Sequence, residues 1–346
     1  MQQDPCTAPG VAPDAADIER RFGGVTRLLG AQAHARLCDA RVAVVGVGGV
    51  GSWAAEALAR SGVQHITLID LDHVAESNAN RQIQALDGEF GKAKVIAMAQ
   101  RIEAINPRAR VTCIEEFITE DNVSDLIRNL DLVLDCIDQV SAKAALIAHA
   151  RTIGLRVVTC GAAGGRTDPT RIRRADLARA LGDPLLAKVR YWLRRHYGFA
   201  RESSGRRPLF GVDAIYSDEP VLPPASSSSP GSLAEEGRLS SPLPLAEKGR
   251  LSSPLPLAEE GRLSSPIPLT GEGRLSSPLA GEVRLSSPLP LAGEGPGERV
   301  RLSGLACAGY GSSVVVTAPF GFAAVACAVD RIIQAPLRST HPGEDS

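Results

Sequence analysis

The chain has 346 residues, 44% of them apolar, and a formal net charge of −1. That apolar content fills one large core or two modest ones, and the near-neutral balance excludes a chain that is basic or acidic throughout, so any nucleic-acid surface has to be local. The seven cysteines, at 6, 38, 113, 136, 160, 307 and 327, include no two that stand three apart; they exclude a C-x-x-C metal site or a disulfide framework and read as thiols kept in a reducing compartment.

In chain order, "MQQDPCTAPGVAPDAADIERRFGG" has no apolar region behind a basic start, so no signal peptide is expected and the cytoplasm is the default location; residues 1–17 read as disordered. Next comes "VAVVGVGGVGSWAAEALARSG", a strand over about 42–46, glycines at Gly46, Gly48, Gly49 and Gly51, and a helix. Glycines there let the backbone approach a phosphate, and the helix N-terminus meets its charge. "HITLIDLD" reads as a second strand, Lys92 to Ile105 as a helix closed by Asn106-Pro107, and "RVTCIEEF" as a strand. Then come a short helix from Asp121 to Arg128, a strand in "LDLVLDCID", a helix in "AKAALIAHARTIG" and a strand in "RVVTCG". Such alternation predicts an α/β fold, a Rossmann-like, doubly wound and mostly parallel sheet, with binding at the carboxyl ends of the strands.

Between about 225 and 298 the texture changes. "RLSSP" begins at 238, 250, 262, 274 and 284, a repeat of twelve, twelve, twelve and ten residues. Two prolines in the twelve-residue unit break both ladders and helices, so the segment reads as a disordered, PPII-like insertion within a catalytic domain running from 18 to 224 and resuming from 299 to 335, with a disordered tail over 336–346. Near the end, "SSVVVTAPFGFAAVACAV" is apolar but carries a proline and is shorter than the roughly 20 residues of a spanning helix, so a buried helix is expected there and not a membrane anchor.

Asp70 lies 19 residues after Gly51, where a carboxylate accepts hydrogen bonds from ribose, which serves NAD and ATP alike. The polar residues beyond it separate the two: "DHVAESNANRQIQ" supplies Asn78, Arg81 and Gln82, "FGKAKVIAMAQRIEAINP" supplies Lys92 and Lys94, and "VLDCIDQV" supplies Asp135 and Asp138. Hydride transfer has no use for cations and a magnesium carboxylate over the phosphates, whereas attack on an α-phosphate needs both.

These blocks, "GVGGVG", "DLDHV" with "SNANRQ", "GKAK", "INP" and "DCID", resemble in their order the ThiF/MoeB/HesA adenylating enzymes over about residues 20–160. The resemblance implies an E1-like nucleotide-binding topology in which Gly46, Gly48, Gly49 and Gly51 cradle ATP and Asp70 binds ribose. It further implies that Asn78, Arg81 and Lys94 contact the triphosphate and that Asp138 holds Mg2+, with Arg81, Lys94 and Asp138 catalytic; Asp135, ending a buried strand, reads as structural. The family borrows an arginine across a homodimer, for which Arg21 and Arg27 are the candidates, although Gly24 replaces an expected arginine.

Sulfur-carrier activating members carry two C-x-x-C pairs, absent here, while "GGRTDPTRI", "DPLLAKVR" and "ACAGYGSSVVVTAPFGF" resemble the branch that dehydrates N6-threonylcarbamoyladenosine in tRNA. Residues 166–207 hold twelve Lys/Arg against four acids, interleaved with Tyr191, Trp192, Tyr197 and Phe199; so local an excess in a chain of net charge −1 favours a folded RNA as partner, the alternative being a solvated amphipathic helix with its aromatics in the core. For that branch the resemblance implies adenylation of the threonyl carboxylate by ATP, then ring closure by the carbamoyl group with expulsion of AMP. Cys307 reads either as a nucleophile or as a packed thiol; a sulfur-transfer or carrier-protein partner and a non-catalytic nucleotide-binding module remain as alternatives.

Long surface insertions cost little closure entropy, about 0.6 kcal/mol for each doubling. Deleting Ser226 to Gly297 is therefore expected to leave the melting temperature and the tRNA-dependent release of AMP unchanged. Loss of tRNA binding with ATP binding retained would make the repeat a recognition element.

Overall fold

In the computed structural model, residues 15–201, 208–223 and 310–334 are described. The repeat insertion, Cys307, Arg206, Arg207 and the tail expected over 336–346 lie outside the described residues.

Short runs of β-branched side chains form the strands β1 (Arg41–Val45), β2 (His65–Ile69), β3 (Arg110–Ile114), β4 (Leu132–Asp135) and β5 (Arg156–Cys160), joined by β6 (Ile172–Asp176) and β7 (Asp213–Ser217). They make one seven-stranded sheet in the order β3-β2-β1-β4-β5-β7-β6, parallel except where β6 pairs with β7. Parallel neighbours need crossovers. The main ones are α3 (Gly51–Arg60), α4 (Lys94–Ile105), the single turn α5 (Val123–Leu126), α6 (Val140–Thr152) and α7 (Pro184–His196), with α1 (Ala15–Leu29) and α2 (Ala31–Asp39) before the sheet and α8 (Val314–Ile333) after it.

The two-residue alternation of the strands sorts their side chains into two layers. Val42, Val44, Ile66 and Leu68 face α3, α4 and α8 through Leu58, Met98, Ile102 and Phe320. Ala43, Val45 and Val133 face α6 and α7 through Leu146, Ile147, Leu186 and Val189. Strand order reverses between β1 and β4, whose carboxyl ends meet in register at Val45 and Asp135. That reversal opens the crevice in which α/β sheets bind ligands.

All five strands anticipated from the sequence are present, each ending earlier than its apolar run because the residues past the last rung turn away to line the crevice. β6, with Arg173 and Arg174 on the sheet's edge, carries no apolar alternation and was not legible. α4 starts at Lys94 and not at Lys92, since Ala93 is drawn into a bridge with His73. α1 starts at Ala15, inside the stretch expected to be disordered.

α8 is the one helix among the described residues that is long and apolar enough to cross a membrane. Its placement agrees with the buried-helix expectation: Ser313 caps it, and Val316, Phe320, Ala324 and Ala328 pack into the core. Gly321 permits a close crossing with α3, since a Cβ there would lie 2.7 Å from the Val50 carbonyl oxygen. Phe320→Ala is expected to cost about 3–5 kcal/mol in urea denaturation, the usual range for a fully buried aromatic. A loss below about 1 kcal/mol would mean α8 is not a structural member of the core.

Candidate active site

The first glycine turn exists because side chains are sterically excluded from it. Gly46 has φ +86°, and a Cβ on it would stand 2.9 Å from the Cys136 carbonyl oxygen. A Cβ on Gly51 would fall 1.8 Å from the Gly46 oxygen. Gly48 has open space where its Cβ would be. The bare turn thus brings the amino end of α3, with its partial positive charge, to a cavity of about 550 Å3 at the reversal point.

Gly46, Gly48, Gly49, Asp70, Asn78, Arg81, Lys94 and Asp138 all line this one cavity. Gly51 does not; it serves the packing of the turn. Asp70, just past β2, accepts from the Val47 amide at 2.6 Å and the Asp72 amide at 2.8 Å, and burial pushes its carboxyl up against the opposing pull of Lys94. Asn78, in a short 3-10 turn, accepts from the Ala75 amide at 3.1 Å. The Arg81 guanidinium donates to the Ser77 carbonyl at 2.7 Å and to Asn80 Oδ1 at 2.9 Å, while the Trp53 indole holds the Arg81 carbonyl at 2.9 Å. Lys94 is the first residue of α4, a place where the helix dipole disfavours a cation. Its ammonium is buried and pairs with the largely exposed Asp72 at 2.7 Å.

Asp138 is exposed at the cavity, with no hydrogen bond or ion pair to another of the described residues. No group of three metal-ligating side chains occurs among the described residues. A lone unpaired carboxylate beside a nucleotide-sized cavity fits Mg2+, which binds through one or two carboxylates plus substrate phosphates and water.

The ThiF family model matches residues 24–182. The chain is 46% identical to the tRNA threonylcarbamoyladenosine dehydratase of Haemophilus influenzae over 209 residues, 60% of this chain and 79% of that protein. It is 48% identical to the protein of the same name from Escherichia coli over 211 residues, 61% and 78% of the two chains. The chain belongs to the ThiF family, among the tRNA threonylcarbamoyladenosine dehydratases. The crystal structure of the E. coli enzyme in complex with ATP superposes with a TM-score of 0.65 at 35% identity, over 94% of this chain and 97% of that one.

The remaining polar residues singled out from the sequence, among them the two arginines expected to act across a dimer, do not line this chain's own cavity. Arg21 donates to the Ala104 and Ile105 carbonyls at 3.1 and 2.8 Å, capping the carboxyl end of α4, and Arg27 is exposed on α1 away from the cavity. Lys92 pairs with Glu89 at 2.7 Å, and Gln82 is buried. Cys136, read from its strand as a core residue, lines the cavity, and the neighbouring Cys160 thiol with burial pushes its own thiol well up, so it is not a ready nucleophile.

The basic segment also divides. Arg166 and Arg190 are buried, Phe199 packs edge-on to Phe210 at 4.9 Å, and Trp192 and Tyr197 lie against the core, because α7 turns its apolar face to α6. Arg171 and Arg173 pair with Asp218, and Arg174 with Asp213 and Asp330. Tyr191 is the one exposed aromatic of the four, with Arg195 donating to its hydroxyl at 2.6 Å. The charge excess is therefore partly structural, and of the four aromatics Phe199 is buried while Trp192 and Tyr197 are partly covered.

Sequence reasoning missed Asp72, Phe117, Tyr310 and the wall of residues 161–164, all of which line the cavity. Asp72 alone carried a signal, as the second carboxylate of "LIDLD". Gly48→Ala is expected to hold its melting temperature within a few degrees, whereas Gly51→Ala is expected to lose several kcal/mol and with it ATP binding, as backbone clashes of this kind do. Equal melting temperatures for the two would refute the packing role given to Gly51.

Proposed function

We propose that the protein is an ATP-dependent tRNA-modifying dehydratase, which cyclises N6-threonylcarbamoyladenosine beside the anticodon through an acyl-adenylate. The observation that carries this reading is the convergence of the glycine turn, Asp70, Arg81, Lys94 and Asp138 on one cavity at the sheet's reversal point. Relatives named for this reaction and the ATP complex of one of them support it.

In this reading the glycine turn and the start of α3 hold the phosphates, and Asp70 uses its remaining lone pairs to accept from ribose hydroxyls. The threonyl carboxylate attacks the α-phosphate and pyrophosphate leaves. Arg81 and Lys94 stand over the phosphoryl oxygens and neutralise the charge that builds there. Asp138 would hold Mg2+, which when bound would shield the triphosphate and steady the leaving group. The carbamoyl group then closes a five-membered ring on the activated carbonyl and expels AMP, so that net water is lost. Ring closure is intramolecular, and what the chain supplies is orientation within a walled cavity. The wall of residues 161–164, with Val221 and Tyr310, lines the same cavity, and in this reading it receives the modified adenosine.

The tRNA is met on the exposed cations of the basic segment, Arg179, Lys188, Arg195 and Arg201, with Tyr191 among them. A second copy of the chain completes a homodimer. Arg27 is then the better candidate to act across it, because the Arg21 guanidinium is already committed to α4.

Arg81→Ala, Lys94→Ala and Asp138→Ala are each expected to slow ATP/pyrophosphate exchange with the modified tRNA by about a hundredfold, the typical effect of losing one transition-state contact of about 2.7 kcal/mol. Near-normal exchange in Asp138→Ala would remove the metal assignment.

A further inference from the structure

The turn from β4 into α6 carries Asp138, and beneath it lies a charge pair that the reaction does not touch. Lys143 Nζ stands 2.9 Å from Asp135 Oδ1, with both side chains wholly excluded from solvent. The same ammonium donates to the Ile137 carbonyl at 2.9 Å and to the Asp135 carbonyl at 3.2 Å, so all three of its hydrogens are used. Asp135 accepts in return from the Ile137 amide at 3.2 Å and from the Thr159 hydroxyl at 2.7 Å. Apart from Thr159, every polar contact of the pair returns to the three residues that precede Asp138.

A buried ion pair is a weak source of stability, because desolvation offsets most of the attraction and apolar replacements of similar volume are often neutral or better. What an apolar side chain could not supply here is a donor for two main-chain carbonyls inside a dry interior. The turn has little other freedom: the Cys136 amide donates to the Val45 carbonyl at 2.9 Å, and its carbonyl lies against the bare face of Gly46. Asp138, by contrast, has no partner of its own among the described residues, so its direction is set by the backbone that bears it.

We propose that Lys143 is a positioning residue, whose grip on the Asp135 and Ile137 carbonyls aims the Asp138 carboxylate at the metal–nucleotide complex. The proposal rests on the assignment of Mg2+ to Asp138. It concerns the cation and leaves the binding of the nucleotide itself to the glycine turn.

The test is calorimetric titration of the full chain with ATP across a series of Mg2+ concentrations and, separately, in EDTA. Lys143→Met, and the double variant Asp135→Asn with Lys143→Met that leaves no uncompensated buried charge, are expected to raise the Mg2+ concentration for half-maximal effect about tenfold or more, the usual size for lost support behind a metal ligand. Metal-free ATP affinity should stay at the wild-type value in both. Thr159→Val, which removes the one contact of Asp135 outside the turn, should leave the Mg2+ dependence unchanged. Wild-type Mg2+ dependence in the folded double variant, or equal weakening with and without Mg2+, overturns the proposal. A double variant that cannot fold does so too, since the lysine would then serve the core and not the turn. Asp138→Ala is the reference arm: if it also keeps the wild-type dependence, the metal assignment beneath the proposal is what fails.

Discussion

Everything at the site depends on how closely two turns approach at the centre of the sheet. β1 and β4 run side by side to Val45 and Asp135, and the chain then leaves them toward opposite faces, into α3 and α6. The crevice between can receive a polyphosphate only if the backbone itself forms its floor. Gly46 and Gly51 make that possible by having nothing to place where the Cys136 carbonyl and the Gly46 oxygen already stand. A methyl group on Gly46 would push apart the glycine turn and the turn that presents Asp138, and one on Gly51 would force open the glycine turn itself.

One of the cations around this floor, Lys94, is already paired before any nucleotide arrives. Lys94 is paired with Asp72, which is mostly solvent-exposed, so a triphosphate can take the lysine while Asp72 turns to water at small cost. Asp70 is different: it is buried, tied to two backbone amides, and its carboxyl sits above the ordinary range. For such a group the folded state holds the proton more tightly than the unfolded chain does, so ionised Asp70 costs stability above its folded pKa, and lowering the pH through the window above the ordinary carboxylate value favours the fold.

Much of this was legible in the sequence because the residues that meet in space also succeed one another in readable blocks. The glycines, Asp70, Lys94 and Asp138 each sit just past a strand or at the start of the next helix, where the period-two pattern stops, and Asn78 and Arg81 fall in the polar stretch between β2 and α4. Gly51 shared the motif yet proved to be a packing residue, which only the 1.8 Å approach to Gly46 reveals. The wall made by residues 161–164, Val221 and Tyr310 was not legible, since small and apolar residues carry no chemical mark and Tyr310 lies far along the chain. The basic segment misled in part: charge counting cannot tell that Arg166 and Arg190 turn inward or that Phe199 is core. Lys143 was silent for a related reason, because a lysine in the first turns of a helix reads as solvated unless its burial is known.

The most direct measurement is of the product. The full-length chain, ATP, Mg2+ and tRNA carrying N6-threonylcarbamoyladenosine are incubated together, the tRNA is digested, and its nucleosides are weighed by mass spectrometry while AMP is counted. The account predicts a modified nucleoside lighter by one water and one AMP released for each one formed. AMP release with the nucleoside mass unchanged, or no release of AMP in the presence of this tRNA, would contradict it.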